Sequence, residues 1–207
     1  PESSEFSMRI RTAFATAALV LFPLVVSAQQ PAVAEGLTAV GPGKFAGVVE
    51  AKVTLVVESI DPASRSVVLK NAKGEQTKVI AGDEVKNFDQ IKVGDQVVAT
   101  YTQELMMVLK KGGGALRERV DSSQSGTSGP GQKPSAYETK EVAFVADVQQ
   151  VDRKKQTITL RGAKKTVKLK IKDPEQLKLI HKGDQVEGVY AEAVAIAVVP
   201  AQAKAKK

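Results

Sequence analysis

Lys92-Val-Gly-Asp-Gln-Val97 returns as His181-Lys-Gly-Asp-Gln-Val186, and the agreement runs outward from that box in both directions. Upstream, Val53-Thr-Leu-Val-Val-Glu-Ser-Ile-Asp61 is echoed by Phe144-Val-Ala-Asp-Val-Gln-Gln-Val-Asp152, and Ser66-Val-Val-Leu69 by Thr157-Ile-Thr-Leu160. Downstream, Tyr101 with its apolar run is echoed by Tyr190 with its own. Self-similarity on this scale reads as two copies of one small β-unit and takes precedence over any other fold assignment.

Each copy spells short strands. Val53, Leu55 and Val57 alternate with polar or smaller residues, the period-two pattern of a half-buried strand. Asp61-Pro62-Ala63-Ser64 is a turn, because proline fixes φ and the aspartate can accept from the amides that follow. Val67 and Leu69 give the inner face of a second strand, Asn71 to Gly74 a hairpin, and Gln76 to Ile80 a third strand. Val85 to Ile91 reads as a short helical plug, and Gly94-Asp95 turns the chain into strands at Gln96–Thr102 and Leu105–Leu109. The second copy repeats the order, with strands at Val142–Val151, Thr157–Leu160, Thr166–Ile171 and Gln185–Val199. Pro174–Ile180 supplies its helical turn. Short, regularly spaced strands with a plug between the third and fourth predict an all-β fold: two tandem small OB-like antiparallel β-barrels joined by a flexible linker.

The expected boundaries are a first OB-like β-unit at 45–110 and a second at 140–200. The Gly/Ser/Pro-rich linker at 111–139 is too polar to bury a core, with room for a brief helix at Ala115–Val120. Residues 29–44 read as a flexible lead-in and 201–207 as a basic Ala/Lys tail. Units of about 60 residues bury little surface alone, so the two are expected to pack on each other or on a partner.

Residues 1–7 read as a vector scar, with Glu5-Phe6 matching an in-frame EcoRI site. Residues 8–28 carry the marks of a signal peptide: Arg9 and Arg11, an apolar run from Ala13 to Val26, and Val26-Ser27-Ala28 for cleavage after Ala28. The mature protein is therefore expected to be periplasmic or secreted and not membrane-spanning. With no cysteine there is no disulfide framework, lipobox or thiol chemistry. The net charge of +7 is unevenly placed. Lys44–Lys110 balances nine basic with nine acidic residues, whereas Lys140–Pro200 holds twelve against eight, so the second copy carries the positive field.

Lys86-Asn-Phe-Asp-Gln-Ile-Lys-Val-Gly-Asp-Gln-Val97, followed by Tyr101 and an apolar strand, resembles an uncharacterised group of exported proteobacterial proteins. These carry two such units around a Gly/Pro-rich linker, and the resemblance covers nearly the whole mature chain. One unit is also loosely similar to the periplasmic copper/silver chaperone barrel. That likeness implies the fold and a metal site of His, Trp and two Met on the second and third strands. Here Ser66–Ile80 and Thr157–Ile171 contain none of these residues, so no metal site or cofactor is carried over. Met107 aligns with Ile196 and reads as core, Met106 aligns with Ala195, and His181 aligns with Lys92 as a turn residue.

No nucleophile–base, Walker or Gly-x-Ser-x-Gly spacing appears, and no enzyme is expected. Asp61, Asp152, Asp95 and Asp184 recur in both copies, each placed where a carboxylate caps a turn. The remaining feature is basic. Lys168, Lys170 and Lys172 alternate with Val167, Leu169 and Ile171, so the three ammonium groups leave one face of a strand. Arg153, Lys154, Lys155, Arg161, Lys164 and Lys165 flank them. The row suits an anionic polymer or the protection of a sheet edge. Phe144, Tyr101 and Tyr190 lie on inner phases, so stacking of nucleic acid is not expected. The reading is a non-enzymatic binding or interaction module of the cell envelope, its partner an envelope protein or an anionic polymer. A periplasmic metal carrier resting on Met106, Met107 and His181 is a further alternative.

Overall fold

The computed structural model describes residues 32–83 and 85–201. The vector scar, the signal peptide, the start of the lead-in and all but Ala201 of the tail lie outside the described residues. Among those described the fold is all-β, and ten strands form one antiparallel sheet. They are β1 (Thr38–Gly41), β2 (Lys44–Asp61), β3 (Ser66–Lys70), β4 (Gln76–Ile80), β5 (Gln96–Lys110), β6 (Arg119–Thr127), β7 (Ser135–Asp152), β8 (Thr157–Arg161), β9 (Thr166–Lys170) and β10 (Gln185–Val199). The order is β4-β3-β2-β5-β10-β7-β8-β9, with β1 added to β2 and β6 to β7. A 3-10 turn lies at Ala32–Glu35, another at Phe88–Gln90 before β5, and α1 (Pro174–Leu177) before β10. No helix among the described residues is long and apolar enough to cross a membrane.

The expected pair of separate barrels gives way to one continuous sheet that is not closed. β5 and β10 pair along their full length, from Gln96–Val199 to Lys110–Gln185. Gln96–Thr102 and Leu105–Leu109 are therefore one strand, since Gln103-Glu104 offers no glycine or proline to turn the chain. A strand of 15 residues spans roughly 50 Å, more than a small barrel can use, so its two halves serve different cores.

The local devices of the two copies match. The β2–β3 ladder shifts register between Val57 and Ser59, and the β7–β8 ladder between Val148 and Gln150. Arg65 and Gln156 hold the corresponding left-handed turn positions at φ 50° and 53°. Gly94 and Gly183 take φ of 91° and 93°, a conformation that suits glycine because it lacks a Cβ.

Two cores result, each built from both copies. The first contains Leu55, Val57, Val67, Leu69, Phe88 and Val97, with Val198 crossing from the second copy. The second contains Ile158, Leu160, Leu169, Ile171 and Val186, with Phe45, Leu105 and Met107 crossing from the first. Met107 is thus core, as its alignment with Ile196 requires, while Met106 faces outward.

The lead-in is also structured. Val33, Ala34 and Leu37 are buried in the second core, Leu37 completely. The Leu37 amide donates to the Lys170 carbonyl at 2.8 Å, and the Lys172 amide donates to the Leu37 carbonyl at 2.9 Å. This single parallel bridge ties the lead-in to the outer edge of β9. Within the expected linker, Arg119–Thr127 forms β6 on the edge of β7, and no helix forms at 115–120. Its polar side chains remain exposed while the ladder satisfies the backbone groups that face β7, so strand formation there needs no core.

Truncating a fully buried leucine costs about 2–5 kcal/mol, whereas substitution in a flexible segment costs under about 0.5 kcal/mol. Leu37→Ala is expected to fall in the first range by urea denaturation.

Candidate functional site

Two turn carboxylates hold the repeat boxes. The Lys92 amide donates to Asp95 Oδ2 at 2.8 Å, and the His181 amide donates to Asp184 Oδ2 at 2.9 Å. Each carboxylate also meets an ammonium from between the copies: Lys133 at Asp95, and Lys111 at Asp184 at 3.0 Å. Burial opposes ionisation of both aspartates. The lysine and amide donors outweigh it and hold both carboxyls below the usual range. Lys133 further donates to the Gln90 carbonyl at 3.0 Å, and Asn87 Nδ2 donates to the Gly129 carbonyl at 2.7 Å. The β6–β7 connection is thereby fastened to the first copy. His181 is exposed, with Nδ1 3.2 Å from Lys111 Nζ.

At the centre of the sheet Gln103 faces Glu192 across β5 and β10. Tyr101 donates its hydroxyl to Glu192 Oε1 at 2.9 Å and Tyr190 donates to Oε2 at 3.3 Å. Burial, then the Glu192 carboxylate, push the Tyr101 hydroxyl up to about 12 and also raise Tyr190. Both phenols stay protonated and act as donors that brace the carboxylate. Among the described residues no cluster of three or more His, Cys, Asp or Glu could hold a metal.

The predicted basic residues are spread along β8 and β9. Lys168 and Lys170 are exposed on β9, opposite Thr159 and Thr157, and Lys172 is exposed just beyond it. Leu169 and Ile171 are buried between them, so the three ammonium groups share the outward face. Arg153, Lys154 and Lys155 lie at the β7–β8 turn, and Arg161, Lys164 and Lys165 at the β8–β9 hairpin. A five-residue strand separates the two groups by about 13 Å. Part of the set is engaged elsewhere. Arg153 donates to the Leu177 carbonyl at 3.0 Å and Lys164 lies 3.5 Å from Asp121, whereas Arg161 stands across the ladder from Asp147, whose ion pair is with Arg117. The core of the face is Lys168, Lys170 and Lys172, with Lys154, Lys155 and Lys165 exposed around it.

A second feature went unread in the sequence. Beside the first core, a cleft of about 150 Å³ opens between β3–β4 and the β6–β7 connection. Val67, Val79 and Val85 line it together with Ile196 and Val198, which pair with Ala136 and Pro134 of the same lining. The corresponding space in the second half holds Val33, Ala34 and Leu37. The available signal was the contrast between this apolar lead-in and the polar run Asp121-Ser-Ser-Gln-Ser125.

No family model, curated protein or solved structure matches this chain.

Asp95 and Asp184 have depressed folded-state pKa values. Their contribution is present above the unfolded carboxylate value near 4 and is lost as pH falls through the lower folded value. Acid unfolding below about pH 4 is expected to shallow in Asp184→Asn. At neutral pH that variant should lose about 1–3 kcal/mol in urea denaturation.

Proposed function

We propose that the protein is a non-enzymatic interaction module of the exported space, built from two interlocked copies of an OB-like unit, that binds its partner in the apolar cleft of the first half. The observation that carries this reading is the asymmetry between the halves. Equivalent strands enclose both cores, yet one is filled by the lead-in and the other is left open with apolar walls. Exposed apolar concavities of this kind mark ligand and protein contact sites, since leaving them hydrated forgoes burial. The tyrosines at Glu192 and the aspartates of the boxes have local structural partners, which supports a binding role over catalysis.

An apolar cleft admits xenon, which displaces only weakly held water. Methyl NMR under xenon pressure should show saturable shifts at Val67, Val79, Val85, Ile196 and Val198, with Leu169 and Ile171 unmoved. Uniform shifts across both cores would reject the cleft as a site.

A second reading rests on the outward lysines. Among the described residues Lys168, Lys170 and Lys172 form no ion pair, so all three remain free to meet sulfate or phosphate groups on an anionic polymer. With a sulfated polysaccharide, saturable amide shifts confined to Thr166–Lys172 and the turns at Arg153 and Lys164 are expected. Affinity should fall roughly tenfold between low and moderate salt through counterion release. Lys168→Glu with Lys170→Glu should abolish it without unfolding. An unchanged titration in that variant would return these lysines to edge protection.

A further inference from the structure

We infer that the occupant of the cleft is a short aliphatic peptide segment of a partner protein, bridged to the outer edge of β4 as Leu37 is bridged to β9, with a basic residue at its inner end. This rests on the reading of the cleft as a binding site.

The edge is the first ground. The Ala81 amide donates to the Arg65 carbonyl at 2.8 Å, as the Ile171 amide donates to that of Gln156 at 2.8 Å. Ala81 is thus the counterpart of Ile171, whose neighbours Lys170 and Lys172 hold the Leu37 backbone. The same groups in the first half are the Ile80 carbonyl and the Gly82 amide. Among the described residues no chain segment pairs with this edge of β4, and Ile80 is 69% exposed. A free sheet edge beside an apolar pocket is the setting for strand addition, in which backbone bonds supply attachment and alternate side chains supply selectivity.

The second ground is that the chain's own counterpart does not fill the space. β1 pairs Thr38 with Ala46 and then leaves β2, carrying Leu37 and Val33 into the core. In the second copy Gly126 pairs with Tyr137, the counterpart of Ala46, and β6 continues along β7. Asp121 to Ser125 therefore occupy the places of Val33 to Leu37 but stay exposed on the sheet. Four of the five are serine or aspartate, which lose hydration and gain little by entering an apolar cleft.

Charge selects the occupant. Two residues meet Val33 in the filled half. Gly47 leaves room for it, since a Cβ there would lie 2.8 Å from Val33 Cγ2 and 2.8 Å from Leu37 Cδ2. Gln103 Oε1 accepts the Val33 amide at 3.2 Å. Their counterparts are Glu138 and Glu192. Glu138 lies two residues beyond Ala136 on β7, and Glu192 lies two before Val194 and four before Ile196 on β10. Both face the side of the sheet that lines the cleft, because side chains repeat every second residue. Lys140 stands opposite Glu192 and pairs with Glu138 at 3.3 Å, so two carboxylates face one ammonium group. A lysine or arginine in the place of Val33 meets the remaining negative charge, while an aliphatic residue in the place of Leu37 enters the cleft.

The test is an amide NMR titration of the full chain with acetyl-Ala-Lys-Ala-Glu-Gly-Leu-Thr-amide, followed by hydrogen exchange and repeated in Glu138→Lys. Saturable shifts at Val79–Val85 and Ile196 are expected, with exchange at Gly82 slowed about tenfold. Affinity should weaken roughly tenfold in Glu138→Lys, and a peptide with serine for leucine should not bind. Absent binding while xenon still shifts the cleft methyls would overturn the peptide and leave the cleft standing; failure of both would remove both. Shifts centred on Leu169–Lys172, showing exchange with the protein's own Leu37 segment, would also overturn the inference. So would equal binding of the serine peptide.

Discussion

β5 and β10 pair over fifteen residues, with Gln103 opposite Glu192 at their midpoint, and the rest of the molecule follows from that ladder. The two residues are counterparts, each two positions beyond the shared tyrosine, Tyr101 or Tyr190. An antiparallel pair centred on counterparts relates the copies by an approximate two-fold axis. Each long strand then passes from its own core into that of its neighbour. Met107 and Leu105 reach the second core and Val198 the first, so neither core is complete without both copies. For units near 60 residues this sharing supplies apolar burial that neither could gather alone.

The same axis makes departures from symmetry conspicuous. Equivalent bulges, positive-φ turn residues and capped aspartates show that the strands of the two halves follow the same course. The difference enters through the segments that precede them. An apolar lead-in leaves its strand and seals one core, while a polar segment stays on the sheet and leaves the other open. The cleft is thus the result of where apolar side chains are placed within otherwise matching topology. Lys133 and Asn87 fix its outer wall by tying the β6–β7 connection to the first copy.

Much of the local structure was legible. The alternation of Val53, Leu55 and Val57 placed a strand, and the turns at Asp61 and Asp152 fold as their side chains required, accepting from the amides of Ala63 and Lys155. The phase of Lys168, Lys170 and Lys172 was also readable, because period-two geometry leaves a strand residue only two directions. The linker and lead-in were misread for a common reason. Composition reports whether a segment can bury a core, and backbone pairing at a sheet edge does not need one. Arg119–Thr127 therefore folds despite its serines. In the lead-in, three apolar residues are too few to show a period, yet they fill the second core.

By itself the sequence indicated two similar segments, the strands and turns within them, which face of those strands is apolar, and where positive charge collects. These properties depend on neighbours within a few residues, so they are written locally. Tertiary structure alone decided that the copies share one sheet, that their closing strands cross into each other's cores, and that one core is sealed while the other opens as a cleft. Those outcomes turn on pairing between residues some ninety positions apart, such as Gln103 with Glu192, and on which distant segment lies against a sheet edge. A strand's alternation specifies its faces but not its partner, and the partner is what built both the cores and the site.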